Sequence, residues 1–107
     1  MSLLEQIIKV LEDKKAIDIK KVDIKDKTTI ADYFVIASGT SSTHIKALAD
    51  NVEENLKEQG IKPVKIEGYN SGTWILMDYS DVIVHIFTEE EREHYNLEDL
   101  WEKIDKK

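Results

Sequence analysis

A chain of 107 residues, 41% of them hydrophobic, is long enough to bury one core without metal or disulfide support and too short for two ordinary domains. With no cysteine it has no disulfide, no thiolate chemistry and no cysteine-based zinc site. Its net charge of −7 argues against a surface built for phosphate backbones, which are held by Lys and Arg, and suits a basic protein partner better.

The opening MSLLEQIIKVLEDKK mixes acids and a glutamine among its apolar residues, unlike the basic start and unbroken apolar run of a signal peptide. No apolar run approaches the roughly 20 residues that span a bilayer, so a soluble, cytoplasmic domain with no membrane partner is expected. Leu3, Leu4, Ile7, Ile8 and Leu11 recur at helical spacing and predict an amphipathic helix from residue 3 to about residue 14. Lys14 and Lys15 sit at its C-terminal dipole end.

Residues 16–24, AIDIKKVDI, alternate apolar and charged residues, and the doubled Lys20-Lys21 shifts the phase. That pattern predicts an edge strand with one wet face and a bulge. After a polar connector, Tyr33 to Ala37 is apolar at every position, as in a strand covered on both faces. Gly39-Thr40-Ser41-Ser42 supplies a turn and a hydroxyl N-cap. Ile45, Leu48, Ala49, Val52 and Leu56 then mark one face of a helix ending at Gly60. With the strand candidate at 63–68 this makes a β-α-β unit, whose right-handed crossover sets its two strands parallel.

The glycine-bounded loop Gly68 to Gly72 predicts a reversal into a strand over 73–78, and Asp78-Tyr79-Ser80-Asp81 a second tight connection into VIVHIFT, 82–88. Thr88 with Glu91 has capping-box spacing, and Asn96 with Asp99 repeats it before Leu97, Leu100, Trp101 and Ile104. The expected architecture is one α/β domain over 1–107: a mixed sheet of about five strands with flanking helices, a meander being appended to a parallel pair.

Charge is concentrated near the end. Residues 78–102 hold nine acids against one base, Arg92, for a local charge of −8, while the first 77 residues balance twelve acids with eleven bases.

Motifs for chemistry are mostly absent. Neither GxxxxGK[ST] nor GxGxxG occurs, so the Gly39 to Ser41 turn is only a weak phosphate cradle. A nucleotidyltransferase needs two carboxylates alternating on the strand after such a turn and helix, and 63–68 offers only Glu67. His85 alternates with Ile83 and Phe87 and reads as a packed residue, His44 as a surface contact in the first turn of its helix. Glu91 and His94 form a single Glu-x-x-His where a di-metal bundle needs two. Ser41 and Ser42 lack a G-x-S-x-G context. No catalytic residue, cofactor or metal site is assigned.

Binding is left. Trp74 and Tyr79 flank the acidic turn, and Tyr95 and Trp101 follow the acid run. An aromatic anchor ringed by carboxylates suits a basic protein, the ring supplying desolvated area and the acids steering approach. Trp101 shares helical spacing with Leu97 and Ile104 and points to the core, whereas Trp74 opposes Ile75 and shares its face with Leu76. Asp78 and Asp81 fit turn formation and partner contact equally well.

The blocks ADYFVIASGTSSTHIKALAD and EGYNSGTWILMDYSDVIVHIF, with Arg92, Tyr95 and the LEDLW close, together resemble the Iojap or ribosomal silencing factor family from about residue 5 to Trp101. The resemblance implies a nucleotidyltransferase-like α/β fold without the transferase carboxylates. It further implies binding to the large ribosomal subunit through its basic protein L-fourteen, obstruction of small-subunit joining, and lowered translation when nutrients are scarce. The contacts it carries over are Trp74, Met77, Asp78, Tyr79 and Asp81, with Arg92 and Tyr95. Little direct rRNA contact is expected of so acidic a chain. One departure is Thr43, where many relatives carry Arg. Two other readings are a degenerate nucleotidyltransferase-type nucleotide-binding enzyme using the Gly39 to Ser42 turn, and a homodimer formed through the apolar meander instead of a monomer.

Overall fold

The computed structural model describes residues 2–95. In chain order the elements are α1 (Leu3–Asp13), β1 (Ile17–Asp23), β2 (Tyr33–Gly39), α2 (Ser42–Lys57), β3 (Lys65–Glu67), β4 (Trp74–Asp78), β5 (Val82–Thr88) and α3 (Glu89–Tyr95). The capping pair Asn96/Asp99, the helix expected through Ile104 and the inward placement of Trp101 lie outside the described residues.

Local chemistry sets the boundaries. Ser2 caps α1 in a full capping box with Glu5, satisfying two otherwise orphaned backbone donors. Ser41 caps α2 by accepting from the His44 N–H at 3.1 Å, and α2 closes on Gly60 at φ 79, a left-handed position suited to glycine. Asp18, at φ 48, is the irregular residue of β1, and the register against β2 slips between Ile17 and Lys20. This is the bulge that the doubled lysines imply.

The five strands form one mixed sheet in the order β1-β2-β5-β4-β3. β2 and β5 are parallel, while β1–β2, β5–β4 and β4–β3 pair antiparallel. β2 and β3 therefore run the same way, as the β-α-β unit requires, but they are not neighbours. The hairpin β4–β5 folds back so that β5 inserts beside β2 and β3 is left at the edge. Composition explains the sorting: VIVHIF is apolar enough to be covered on both faces and takes the centre, whereas Lys65 and Glu67 are exposed and belong at a rim.

Strand alternation divides the core in two. On one face Val35, Ala37, Ile75, Met77, Val84 and Ile86 meet the apolar stripes of α1 and α2, among them Ile7, Leu11, Ile45, Leu48 and Val52. On the other face Phe34, Ile36, Ile83 and Phe87 form a second cluster with Ile24 and Ala31, and Val22, Trp74 and Leu76 pack at its margin.

Candidate functional site

The acidic, aromatic segment is built on the β4–β5 hairpin, and alternation along β4 decides which side chains are accessible. Trp74, Leu76 and Asp78 leave the sheet on the face away from α1 and α2, and all three are half-buried. Met77 and Tyr79 leave on the helix face, where they are 0% and 5% exposed. Two of the expected contacts are thus core residues. The Tyr79 hydroxyl is buried with no hydrogen-bond partner among the described residues, and its desolvation, reinforced by the charge of Glu53, pushes its pKa up to about 12.

Of the turn carboxylates, Asp78 has structural duty: its Oδ1 accepts from the Ser80 N–H at 2.8 Å, allowing Ser80 to sit at φ 72. Asp81 presents its side chain to solvent. Its carbonyl accepts from the N–H groups of Asp32 and Tyr33, at 2.8 and 3.1 Å, which fastens the turn to the start of β2. Arg92 faces inward. Its Nη1 donates to the Ile17 carbonyl at 3.3 Å and the Ser38 hydroxyl at 3.0 Å, tying α3 to the β1–β2 side of the sheet. The Tyr95 side chain lies outside the described residues.

What the structure does bring together is a groove of about 360 Å3 lined by Glu67, Gly68, Ser71, Thr73, Trp74, Leu76 and Glu91. The β3–β4 register sets Glu67 opposite Leu76 and Lys65 opposite Asp78, so two rows from neighbouring strands form one face. Leu76, Glu67 and Glu91 were absent from the sequence-derived contact set. Alternation was the available signal, since Leu76 and Asp78 share the Trp74 parity.

Trp74 is held firmly. Ser71 Oγ accepts from the N–H groups of Thr73 and Trp74 and donates to the Trp74 carbonyl at 2.8 Å. The preceding loop is pinned to α2 by Tyr69, whose hydroxyl donates to both oxygens of Asp50, and by the Ser42 hydroxyl, which donates to the Gly72 carbonyl at 2.7 Å. On the sheet the indole stacks on Phe87, with centroids 5.2 Å apart. Its Nε1–H donates to Nδ1 of His85 at 3.3 Å.

Two N–H groups of the Gly39 to Ser42 turn region, those of Thr40 and His44, are taken by internal acceptors. The Thr40 N–H donates to His44 Nδ1 at 3.0 Å, and His44 Nε2–H in turn donates to the Lys14 carbonyl at 3.1 Å. His44 is therefore a half-buried strut between α1 and α2, its two ring nitrogens engaged within the chain. Glycine is needed at 39 for close packing: a Cβ there would meet Ile45 at 2.8 Å and the His44 ring at 3.1 Å. No group of three or more metal-ligating side chains occurs among the described residues, and no described helix is long and apolar enough to cross a membrane.

Comparison with known proteins finds relatives over most of the chain. The family model described as ribosomal silencing factor during starvation matches residues 1–107. Ribosomal silencing factor RsfS of Bacillus subtilis is 39% identical over 100 residues, covering 94% of this chain and 85% of the relative. A mouse protein named mitochondrial assembly of ribosomal large subunit protein 1 is 33% identical over 101 residues, covering 92% of this chain but 44% of that longer relative. A crystal structure of a Chromobacterium violaceum protein superposes with a TM-score of 0.88 at 38% identity, covering 94% of this chain and 87% of that one. A Bacillus halodurans structure follows at 0.84 and 37%, covering 92% of each chain. Family model, relatives and fold each cover nearly all of the chain, and the chain belongs to the ribosomal silencing factor family.

Proposed function

We propose that this chain is a cytoplasmic, non-catalytic translation silencer that binds the large ribosomal subunit through its basic L-fourteen-type protein and sterically blocks joining of the small subunit. The single observation that carries the mode of binding is the face made by Trp74, Leu76 and Asp78, edged by Glu67 and Glu91. A half-buried indole beside a leucine supplies an apolar centre already fixed in place, so little side-chain entropy is lost on docking. The surrounding carboxylates attract a protein rich in Lys and Arg and repel bare rRNA, which steers the chain toward exposed protein. No bond needs to be made or broken, because a domain seated on the joining face excludes the other subunit by volume alone.

Met77 and Tyr79 enter this reading as supports beneath the face, and Arg92 as the clamp of α3. Asp81 is a solvent-facing charge that contributes to steering. The family relation supports a ribosomal role, and the mouse relative's name points to the large subunit. The whole chain is read as one domain, with nothing in its composition to divide it.

The test is reassociation of purified ribosomal subunits followed by light scattering. Added protein is expected to lower the yield of joined ribosomes in a saturable way when preincubated with large subunits, and to have no effect when preincubated with small subunits and removed. Unchanged joining at saturating protein would overturn the proposal.

A further inference from the structure

We propose that His85 is a positioning residue for docking: its Nδ1, held neutral in the sheet, fixes the indole of Trp74 in the orientation that a ribosomal protein partner reads. The inference rests on the docking function above and assigns to it a residue that does not itself reach the surface.

The geometry begins with strand register. β4 and β5 place Leu76 opposite His85 and Trp74 opposite Phe87, so His85 is the diagonal neighbour of Trp74 on the same face. Diagonal pairs lie within reach of large rings. The Trp74 indole stacks on Phe87 at 5.2 Å and tilts by 31° to the His85 ring at 5.9 Å, which brings Nε1 within 3.3 Å of Nδ1. Phe34 closes on the imidazole edge-on at 4.9 Å.

Chemistry then restricts what His85 can be. It is 5% exposed among Phe34, Phe87 and Trp74, and Nδ1 can accept from the indole only if the ring is neutral with its proton on Nε2. Burial enforces neutrality by lowering the pKa from 6.5 to about 4. Nε2 itself has no hydrogen-bond partner among the described residues, so the imidazole leaves one buried donor unsatisfied there. A leucine or phenylalanine would fill the same apolar site without that penalty. Packing alone does not explain a histidine there. The acceptor at Nδ1 does: it gives the part-buried indole N–H a partner on the sheet and, together with the Phe87 stack, sets the angle of the ring.

The test exploits opposite rankings. His85→Leu keeps apolar volume and removes the acceptor; His85→Asn loses volume and keeps a side-chain oxygen near the Nδ1 position. Binding to purified large subunits is measured by co-sedimentation, with wild type in parallel and thermal unfolding run on every variant. The Trp74 indole N–H resonance is followed by 15N NMR, assigned with Trp74→Phe. The expected result is that His85→Leu is folded at least as stably as wild type, binds at least tenfold more weakly and shows an indole N–H that exchanges faster. His85→Asn, although less stable, retains binding within about threefold. If His85→Leu binds like wild type, or if affinity follows stability across the two variants, the positioning role is wrong. If His85→Leu fails to fold, the Asn variant and the wild-type indole resonance decide: a fast-exchanging indole N–H in the folded wild type overturns the proposal by itself. Absence of binding by wild type counts against the docking reading, a separable outcome from loss in the variants alone.

Discussion

Trp74 and Met77, three residues apart on β4, leave the sheet on opposite faces, the first at the margin of the aromatic cluster and the second beneath the helices. Their substitutions should therefore fail in different ways. Trp74→Ala is expected to weaken binding to large subunits by about 2 kcal/mol or more, as for a central aromatic anchor. Met77→Ala is expected to lower unfolding free energy by about 2–5 kcal/mol while leaving affinity unchanged at temperatures where the variant is folded. Urea unfolding paired with a binding isotherm for each variant checks both.

Tyr79→Phe removes a buried hydroxyl that has no partner among the described residues, and so should leave stability unchanged or raise it by up to about 1 kcal/mol. Binding should be unaffected. A marked loss of affinity in a fully folded Tyr79→Phe protein would show that the hydroxyl reaches the partner after all.

Charge should separate at the turn. Asp81→Lys alters a solvated carboxylate and is expected to slow association several-fold at low salt, less so at high salt, with no change in melting temperature. Asp78→Ala strips the acceptor from the Ser80 N–H and should cost about 1 kcal/mol of stability in addition to any loss of binding. Stopped-flow association at two ionic strengths, with calorimetry, distinguishes them.

Gly68→Ala tests the support of the face. Gly68 has φ 73, and a Cβ there would collide with the Trp74 carbonyl. The substitution should destabilise the domain by about 1–3 kcal/mol and weaken binding beyond what stability explains, because the turn that sets Trp74 must shift. Gly60→Ala, also at positive φ but in open space, should weaken stability alone.

Acid should act through His85. In the unfolded chain it titrates near 6.5 and in the folded protein near 4. Stability is thus complete above 6.5 and falls as pH drops toward 4, because only the unfolded state takes up the proton. The full difference is about 3 kcal/mol. Chemical denaturation of wild type and His85→Leu from pH 7 to 4 should show a steeper loss of stability in wild type than in the variant, the difference being the His85 contribution.

Much of this fold was legible because its signals are local. The Ser2 and Ser41 caps, the glycine closing α2, the bulge near Asp18 and the two-sided apolarity of β2 and β5 each depend on a few adjacent residues. Strand order was not legible in the same way. The insertion of β5 beside β2 depends on which strand best tolerates an exposed edge, a comparison between distant segments. Of the expected contacts, Trp74 and Asp78 share the half-buried face of β4 and Asp81 is exposed on the turn, whereas Met77 and Tyr79, carried over with them from the family resemblance, fall on the buried face because a strand alternates with a period of two. Glu67, Glu91 and His85 join the site only through register and the path of α3.

The most direct measurement is binding of the isolated L-fourteen-type ribosomal protein to wild type and to Leu76→Asp, by titration calorimetry. Leu76 lies between Trp74 and Asp78 on the face and was chosen by the structure alone. The account predicts a saturable complex for wild type and at least a tenfold weaker one for folded Leu76→Asp. Equal affinities for the two proteins, or no complex with wild type, would contradict it.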